Sequence, residues 1–258
     1  VSKKNRRQKA AKKSERLTKP GNNARHIFIA VIAVIVLALG GVGYLLVKES
    51  QKTHLTDFDG PTPSVADEHG GVPFGVVDGK ILAGHTNGGD ETDVNNVSIY
   101  ADFLCPACAE FEKMNSGEIE EIILSEQATI TYHPVNILDS SPDSTGFPTM
   151  AANAFLEVAE AAPEHALAFM EILFVHQPED GLMQNEEMRQ LGLAVGVPEE
   201  AMARFDEFRF QDWIETAKKQ ATRDGMKHTP STALNGEFVE ISWSEYGSLS
   251  ELAFHRAR

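Results

Sequence analysis

Cysteine is nearly absent from this chain: there are two, Cys105 and Cys108, in 258 residues. A structural zinc site takes four ligands, normally two Cys-x-x-Cys pairs or cysteines with spaced histidines. There is no third cysteine, and His133 and His228 stand isolated in the sequence, so the ligand count argues against a metal. Haem attachment needs a histidine directly after the second cysteine, and position 109 is alanine. As a structural bridge the pair would close a loop over two residues and remove little chain entropy. Thiol redox chemistry is the main reading left.

Positive charge is also scarce outside one place. Residues 1–26 hold 10 of the 23 Lys and Arg and one acid, Glu15, leaving 13 basic against 37 acidic side chains elsewhere, a net of −24. Such acidity argues against nucleic acid as a partner of the bulk of the chain. Between the halves, residues 27–47 contain no charge over 21 positions, enough to cross a hydrocarbon core at about 1.5 Å per residue. The stretch exceeds a usual signal-peptide apolar region and no clean small-x-small site follows it, which favours an uncleaved anchor over a cleaved leader. With the basic flank first, the positive-inside rule puts the N-terminus in the cytoplasm and everything after Lys48 outside. The basic tail then reads as a topology determinant with some attraction for anionic lipid.

Residues 54–73 are acidic, rich in Pro and Gly and without periodicity, the composition of a tether. Asp78-Gly79 between residues 76–77 and 80–82 signals a hairpin, where the folded domain is expected to begin. Residues 97–101 read as a buried strand, and a helix opened by Pro106 runs through Phe111 and Met114, with a kink expected at Ser116-Gly117 before Ile119, Ile122 and Ile123. Residues 128–133 alternate as a strand, and 139–148 are turn-rich. No strand pattern occurs from 149 to 225; helices are expected over 149–162, 163–176, 186–195, 198–205 and 211–224, with Gly225 as a cap. The insertion's Phe155, Phe169, Met170, Phe174, Phe205 and Trp213 fall at core spacings, or else line an apolar groove for unfolded chains. Asn235-Gly236 marks a second hairpin over 232–241, and Ser248 with Glu251 forms a capping box for a last helix ending on Arg256 and Arg258. A βαβ unit and a ββα unit split by helices satisfy this order in one α/β domain.

At the junction of strand and helix Cys105 falls at the N-cap and Pro106 at N1, where a missing N–H costs nothing. Free amide protons and the positive end of the helix dipole there favour the thiolate, the reactive form.

The run Tyr100-Ala-Asp-Phe-Leu-Cys-Pro-Ala-Cys108, followed by His228-Thr229-Pro230 and Asn235-Gly236, resembles the membrane-anchored DsbA-like thiol-disulfide oxidoreductases of actinobacteria. The resemblance implies a thioredoxin-like α/β fold with an inserted all-helical domain, preceded by one N-terminal transmembrane helix. Its parts would be a cytoplasmic tail 1–26, the anchor 27–47, a linker 48–73, a first half 74–143, a helical insertion 144–225 and a second half 226–258. Carried over by position, Cys105 is the exposed nucleophile, Cys108 the buried resolving cysteine and Pro230 a cis-proline facing them, with Thr229 before it. The loop would present backbone to an extended substrate peptide as an added strand.

The family relationship further implies that exported proteins with free thiols are the substrates and that a membrane-embedded DsbB-like or VKOR-like (vitamin K epoxide reductase homologue) partner re-oxidises the pair, with no cofactor of its own. Two places depart from the pattern. Ile99 stands where many thioredoxin-like proteins carry a buried acid, which leaves Asp102 as either a proton acceptor for Cys108 or a solvated strand-end residue. Pro106-Ala107 replaces the Pro-His of strongly oxidising relatives, and His228 is either a substitute near the sulfur or a loop histidine. With that dipeptide a thiol reductase or isomerase stays open beside a disulfide-forming oxidase, and a metal-handling envelope protein is the non-enzymatic alternative.

Overall fold

The computed structural model describes residues 26–27, 29, 31–32, 34–35, 55–88, 94–141, 145–178, 182–245 and 247–254. The chain divides into two units, Val1–Lys52 and Thr53–Arg258. In the first, Ile27, Ile29, Val31, Ile32, Val34 and Ile35 are helical and exposed; the rest of the expected anchor 27–47 and the basic tail before His26 lie outside the described residues. Among the described residues no helix is long and apolar enough to cross a membrane.

Among the described residues six strands make the second unit's sheet: β1 (Val72–Val77), β2 (Lys80–Ala83), β3 (Asn95–Ala101), β4 (Ala128–Pro134), β5 (Ser231–Leu234) and β6 (Glu237–Val239), in the order β2-β1-β4-β3-β5-β6. Only β3 and β4 run parallel, joined by α1 (Pro106–Leu124); all other pairs are antiparallel. Side chains alternate across the sheet, so Ile99 enters the main core while its neighbour Tyr100 enters a smaller one with Val135, Ala221, Met226 and Ala233. Between β4 and β5 the chain forms α2 (Phe147–Ala161), α3 (Ala166–Val175), α4 (Asn185–Ala194) and α5 (Gln211–Asp224), and α6 (Ser248–Phe254) follows β6. This is a mixed α/β, thioredoxin-like arrangement. The turns at Asp78-Gly79 and Asn235-Gly236 have positive φ at both residues, as tight hairpins need.

Several expectations are corrected. Residues 55–71 are no free tether: Leu55 is buried, its N–H donates to Gln220 Oε1 at 2.9 Å, and Phe58, Val65 and Ala66 pack on the core. β1 begins at Val72, four residues before the expected start, although Pro73 and Gly75 discourage a strand. Gly75 is there because a Cβ would meet the backbone at His85 and Thr86 at 2.8–2.9 Å. α1 continues through Ser116-Gly117 without interruption, because its buried side, Phe111, Glu112, Asn115, Glu118, Ile119, Ile122 and Ile123, stays in register across them. Over 198–205 there is no α-helix but a 3-10 turn at Glu199–Met202, with another at Phe205–Glu207; Ala201, Met202 and Phe205 are fixed by burial instead.

The last helix is not capped by its own box. Ser248 lies inside the first turn and its hydroxyl donates to the Ser242 carbonyl, while Glu118 of α1 takes the N–H groups of Gly247 (2.9 Å) and Ser250 (2.6 Å). Arg256 and Arg258 lie outside the described residues. The groove reading of the insertion fails, since Phe155, Phe169, Met170, Phe174, Phe205 and Trp213 are all buried core.

Candidate active site

β3 ends at Ala101, and the next four residues turn the chain into α1. Asp102, wholly buried, accepts the N–H of Leu104 on Oδ1 and that of Leu138 on Oδ2, both at 2.9 Å. Its carbonyl takes the Cys105 N–H at 3.0 Å, and the Cys105 carbonyl in turn takes the N–H of Cys108 at 3.0 Å and of Ala109 at 3.2 Å. Cys105 has extended backbone (φ −76°, ψ 117°) as the N-cap and Pro106 sits in the first turn.

The two thiols are free and differ sharply. Cys108 is fully enclosed, and burial first, then the neighbouring Cys105, pushes its pKa up. Cys105 keeps 9% of its surface, so the expected exposed nucleophile is largely covered; the Thr229 carbonyl lies 3.5 Å from its sulfur. Its pKa is lowered to about 5, chiefly by a hydrogen bond from the Cys108 thiol, with smaller help from Thr229 and the backbone N–H groups of Cys108 and Ala107 outweighing desolvation.

Thr229 reaches Cys105 because β5, which Thr229 and Pro230 precede, pairs with β3: Tyr100 stands opposite Ser231 and Ile99 opposite Thr232. The Thr229-Pro230 bond is cis. Pro106 and Ala107 are exposed at the surface beside Cys105. His228 is exposed too, but its Nδ1 faces the Pro230 carbonyl at 3.0 Å and its Nε2 lies 3.8 Å from Glu240, so its ring nitrogens are engaged within its own loop and hairpin.

Asp102 is no solvated strand end. Burial raises its pKa to about 7 against the two backbone N–H bonds, and the Cys105 charge adds to the rise. Two further contacts have no sequence signal of their own. Gln177 donates its side-chain amide to the carbonyls of Phe103 (2.8 Å) and Cys105 (3.1 Å), tying the residues after α3 to the active-site turn. Glu112, one turn after Cys108, is buried and accepts the Tyr132 hydroxyl at 2.7 Å; only its i+4 spacing from Cys108 could have drawn attention to it.

The fold matches solved structures. The chain is similar to the MdbA thiol-disulfide oxidoreductase of Actinomyces oris (22% identity, 74% of this chain and 88% of that one, TM-score 0.59). It is also similar to reduced DsbA of Mycobacterium tuberculosis (24% identity, 66% and 85%, TM-score 0.55). A third likeness is to the reduced disulfide bond oxidoreductase DsbG of that organism (25% identity, 68% and 83%, TM-score 0.56). No curated protein matches it significantly. The family described as Thioredoxin matches residues 83–250, most of the folded unit, with Cys105, Cys108, Thr229 and Pro230 inside the match. This chain is an oxidoreductase of the thioredoxin family.

Proposed function

We propose that the chain is a membrane-tethered thiol oxidase that introduces disulfides into exported proteins through Cys105 and Cys108. The observation that carries this reading is the inequality of the two sulfurs, Cys105 at the helix N-cap beside the Thr229 carbonyl with its pKa lowered to about 5, and Cys108 fully enclosed with its pKa pushed up by burial. A stable thiolate is a good leaving group, which makes the oxidised pair easy to reduce and therefore oxidising. The uncharged stretch 27–47 behind a basic tail supports an anchor with its N-terminus in the cytoplasm and the catalytic unit outside.

A substrate thiolate attacks Cys105 Sγ of the oxidised pair; a mixed disulfide forms and Cys108 departs with the electron pair of the broken S–S bond. A second substrate thiolate then attacks the substrate's sulfur, the new substrate disulfide closes, and Cys105 leaves as its thiolate. The substrate has lost two electrons and the pair has gained them. A membrane-embedded acceptor similar to DsbB or a VKOR homologue would take them on. The half-buried Thr229 backbone beside Cys105 offers a substrate peptide an edge against which to align.

Equilibration of the full chain with glutathione tests the assignment. An oxidase is expected near about −120 mV, whereas a potential near about −270 mV would make the chain a reductase. Replacing Cys108 by Ala is expected to trap substrates on Cys105 as mixed disulfides, and an empty trap would overturn the proposal.

A further inference from the structure

An extended peptide laid along the Thr229 backbone pairs through one edge only, and the N–H groups of its other edge lose water as it settles over a largely covered sulfur. Those donors need acceptors beside Cys105. Several of the side chains around the sulfur have none to give. Pro106 and Ala107 are apolar, both Asp102 oxygens already take backbone N–H groups, and His228 is engaged within its own loop and hairpin.

Gln177 differs. Its Nε2 donates to the Phe103 carbonyl at 2.8 Å and to the Cys105 carbonyl at 3.1 Å. Carbonyl oxygens only accept, so the atom between these two is the amide nitrogen, which sets the orientation of the whole group. Exchanging Oε1 and Nε2 would lose both bonds and bring three oxygens together. With the nitrogen fixed, the oxygen is fixed too. Oε1 has no hydrogen-bond partner among the described residues, and it is not sealed from solvent as the unpartnered Oδ1 of Asn136 is. It is an open acceptor one amide group away from the active-site backbone. The chain behind it is held as well: α3 ends at Val175, the Gln177 N–H donates to the Phe174 carbonyl at 3.3 Å, and Pro178 disfavours helical backbone at the residue before it. An acceptor fixed in advance loses little conformational freedom when a ligand arrives.

We propose that Gln177 is a substrate-positioning residue, its Oε1 accepting a backbone N–H of the peptide that carries the reacting cysteine; this rests on the reading of Cys105 as the sulfur a substrate thiolate attacks. Thr229 aligns the peptide from the loop before β5, and Gln177 holds it from the end of α3. The helical insertion thereby takes a share in recognition through the substrate's main chain. Such a contact is indifferent to the side chains around the cysteine, as a chain serving many different proteins requires.

The test compares how fast the oxidised full chain is reduced by an uncharged one-cysteine peptide and by 2-mercaptoethanol, a thiol without a backbone. Dividing the first rate constant by the second cancels changes in Cys105 itself. Gln177→Ala removes donor and acceptor, whereas Gln177→Lys keeps donors for the two carbonyls and has no acceptor. The ratio is expected to fall about 5-fold in both, the worth of one hydrogen bond. Peptides in which each amide N–H flanking the cysteine is replaced in turn by an ester oxygen then locate the donor. One replacement should lower the wild-type ratio about 5-fold and cost nothing further in either variant. A ratio unchanged in both variants, or an ester loss that persists undiminished in them, overturns the proposal. So does a ratio that falls in Gln177→Ala and is kept in Gln177→Lys, since the loss then comes from a loosened turn. A reductase-like glutathione potential with the ester coupling intact would overturn the oxidase reading and leave the Gln177 contact standing.

Discussion

The side-chain amide of Gln177 donates to the carbonyl oxygen of Cys105 at 3.1 Å, so the helical insertion holds the active-site turn by its backbone rather than by its sulfur. Gln177→Ala removes this bond and the one to Phe103, and is expected to cost about 1–2 kcal/mol. Urea unfolding of the full chain measures it. A midpoint equal to wild type would mean that water replaces the amide without loss.

The Cys105 thiolate depends first on the Cys108 thiol. Alkylation of the reduced chain by iodoacetamide should therefore titrate with a midpoint near pH 5. In Cys108→Ala the midpoint should rise, and in Thr229→Ala it should rise less, because Thr229 is the smaller contributor. Equal midpoints in all three chains would refute the hydrogen-bonded thiolate.

The same shift sets how stability varies with pH. The Cys105 pKa is lowered from 9.0 to about 5 on folding, so the reduced fold gains its full benefit above pH 9. That benefit shrinks as pH falls and is gone below about 5. The oxidised fold has no thiolate and no such slope from this group. Denaturation midpoints of the two forms should therefore diverge as pH rises from 5 towards 9, the reduced form gaining; parallel curves would contradict this.

His133 titrates in the opposite sense of usefulness. Stacked on Tyr100 at 4.1 Å between ring centroids and buried, it has its pKa lowered from 6.5 to about 4, with desolvation the main cause. The unfolded chain takes up this proton first, so stability is expected to fall as pH drops from 6.5 towards 4. His133→Phe keeps a ring on Tyr100 and should flatten that part of the curve, which acid-dependent urea midpoints will show.

Glu118 caps the last helix from another helix. Glu118→Gln keeps the shape but loses the charge, and is expected to destabilise by about 1–2 kcal/mol, with faster amide exchange at Gly247 and Ser250. Unchanged exchange there would assign the cap to some other group.

Much of this was legible because it is written locally. Cys105 at a helix start followed by proline, the Asn-Gly turn and the period-two run of β4 each specify their own backbone. The polar groups that finish the site are not written that way. Glu112 lies in the run Glu110 to Lys113, which by itself reads as a solvated helix surface, and nothing in it reveals that Tyr132 from another strand will cover it. Asp102 allowed two readings because the N–H of Leu138, 36 residues away, decides between them. Gln177 follows a helix with no motif at all. In the first turn of α6 the local signal pointed to the wrong residue, since a capping box at Ser248 lost to a carboxylate 129 residues upstream of Gly247.

Cys105 and Thr229 stand 124 positions apart. A chain synthesised from its N-terminus offers both thiols long before the loop that covers them has been made. Until then Cys105 lacks its Thr229 neighbour, and α6, which emerges later still, has yet to be fastened to Glu118 of α1. The nascent chain therefore carries its two thiols uncovered on the Thr229 side for as long as the 124 positions between Cys105 and Thr229 take to be made.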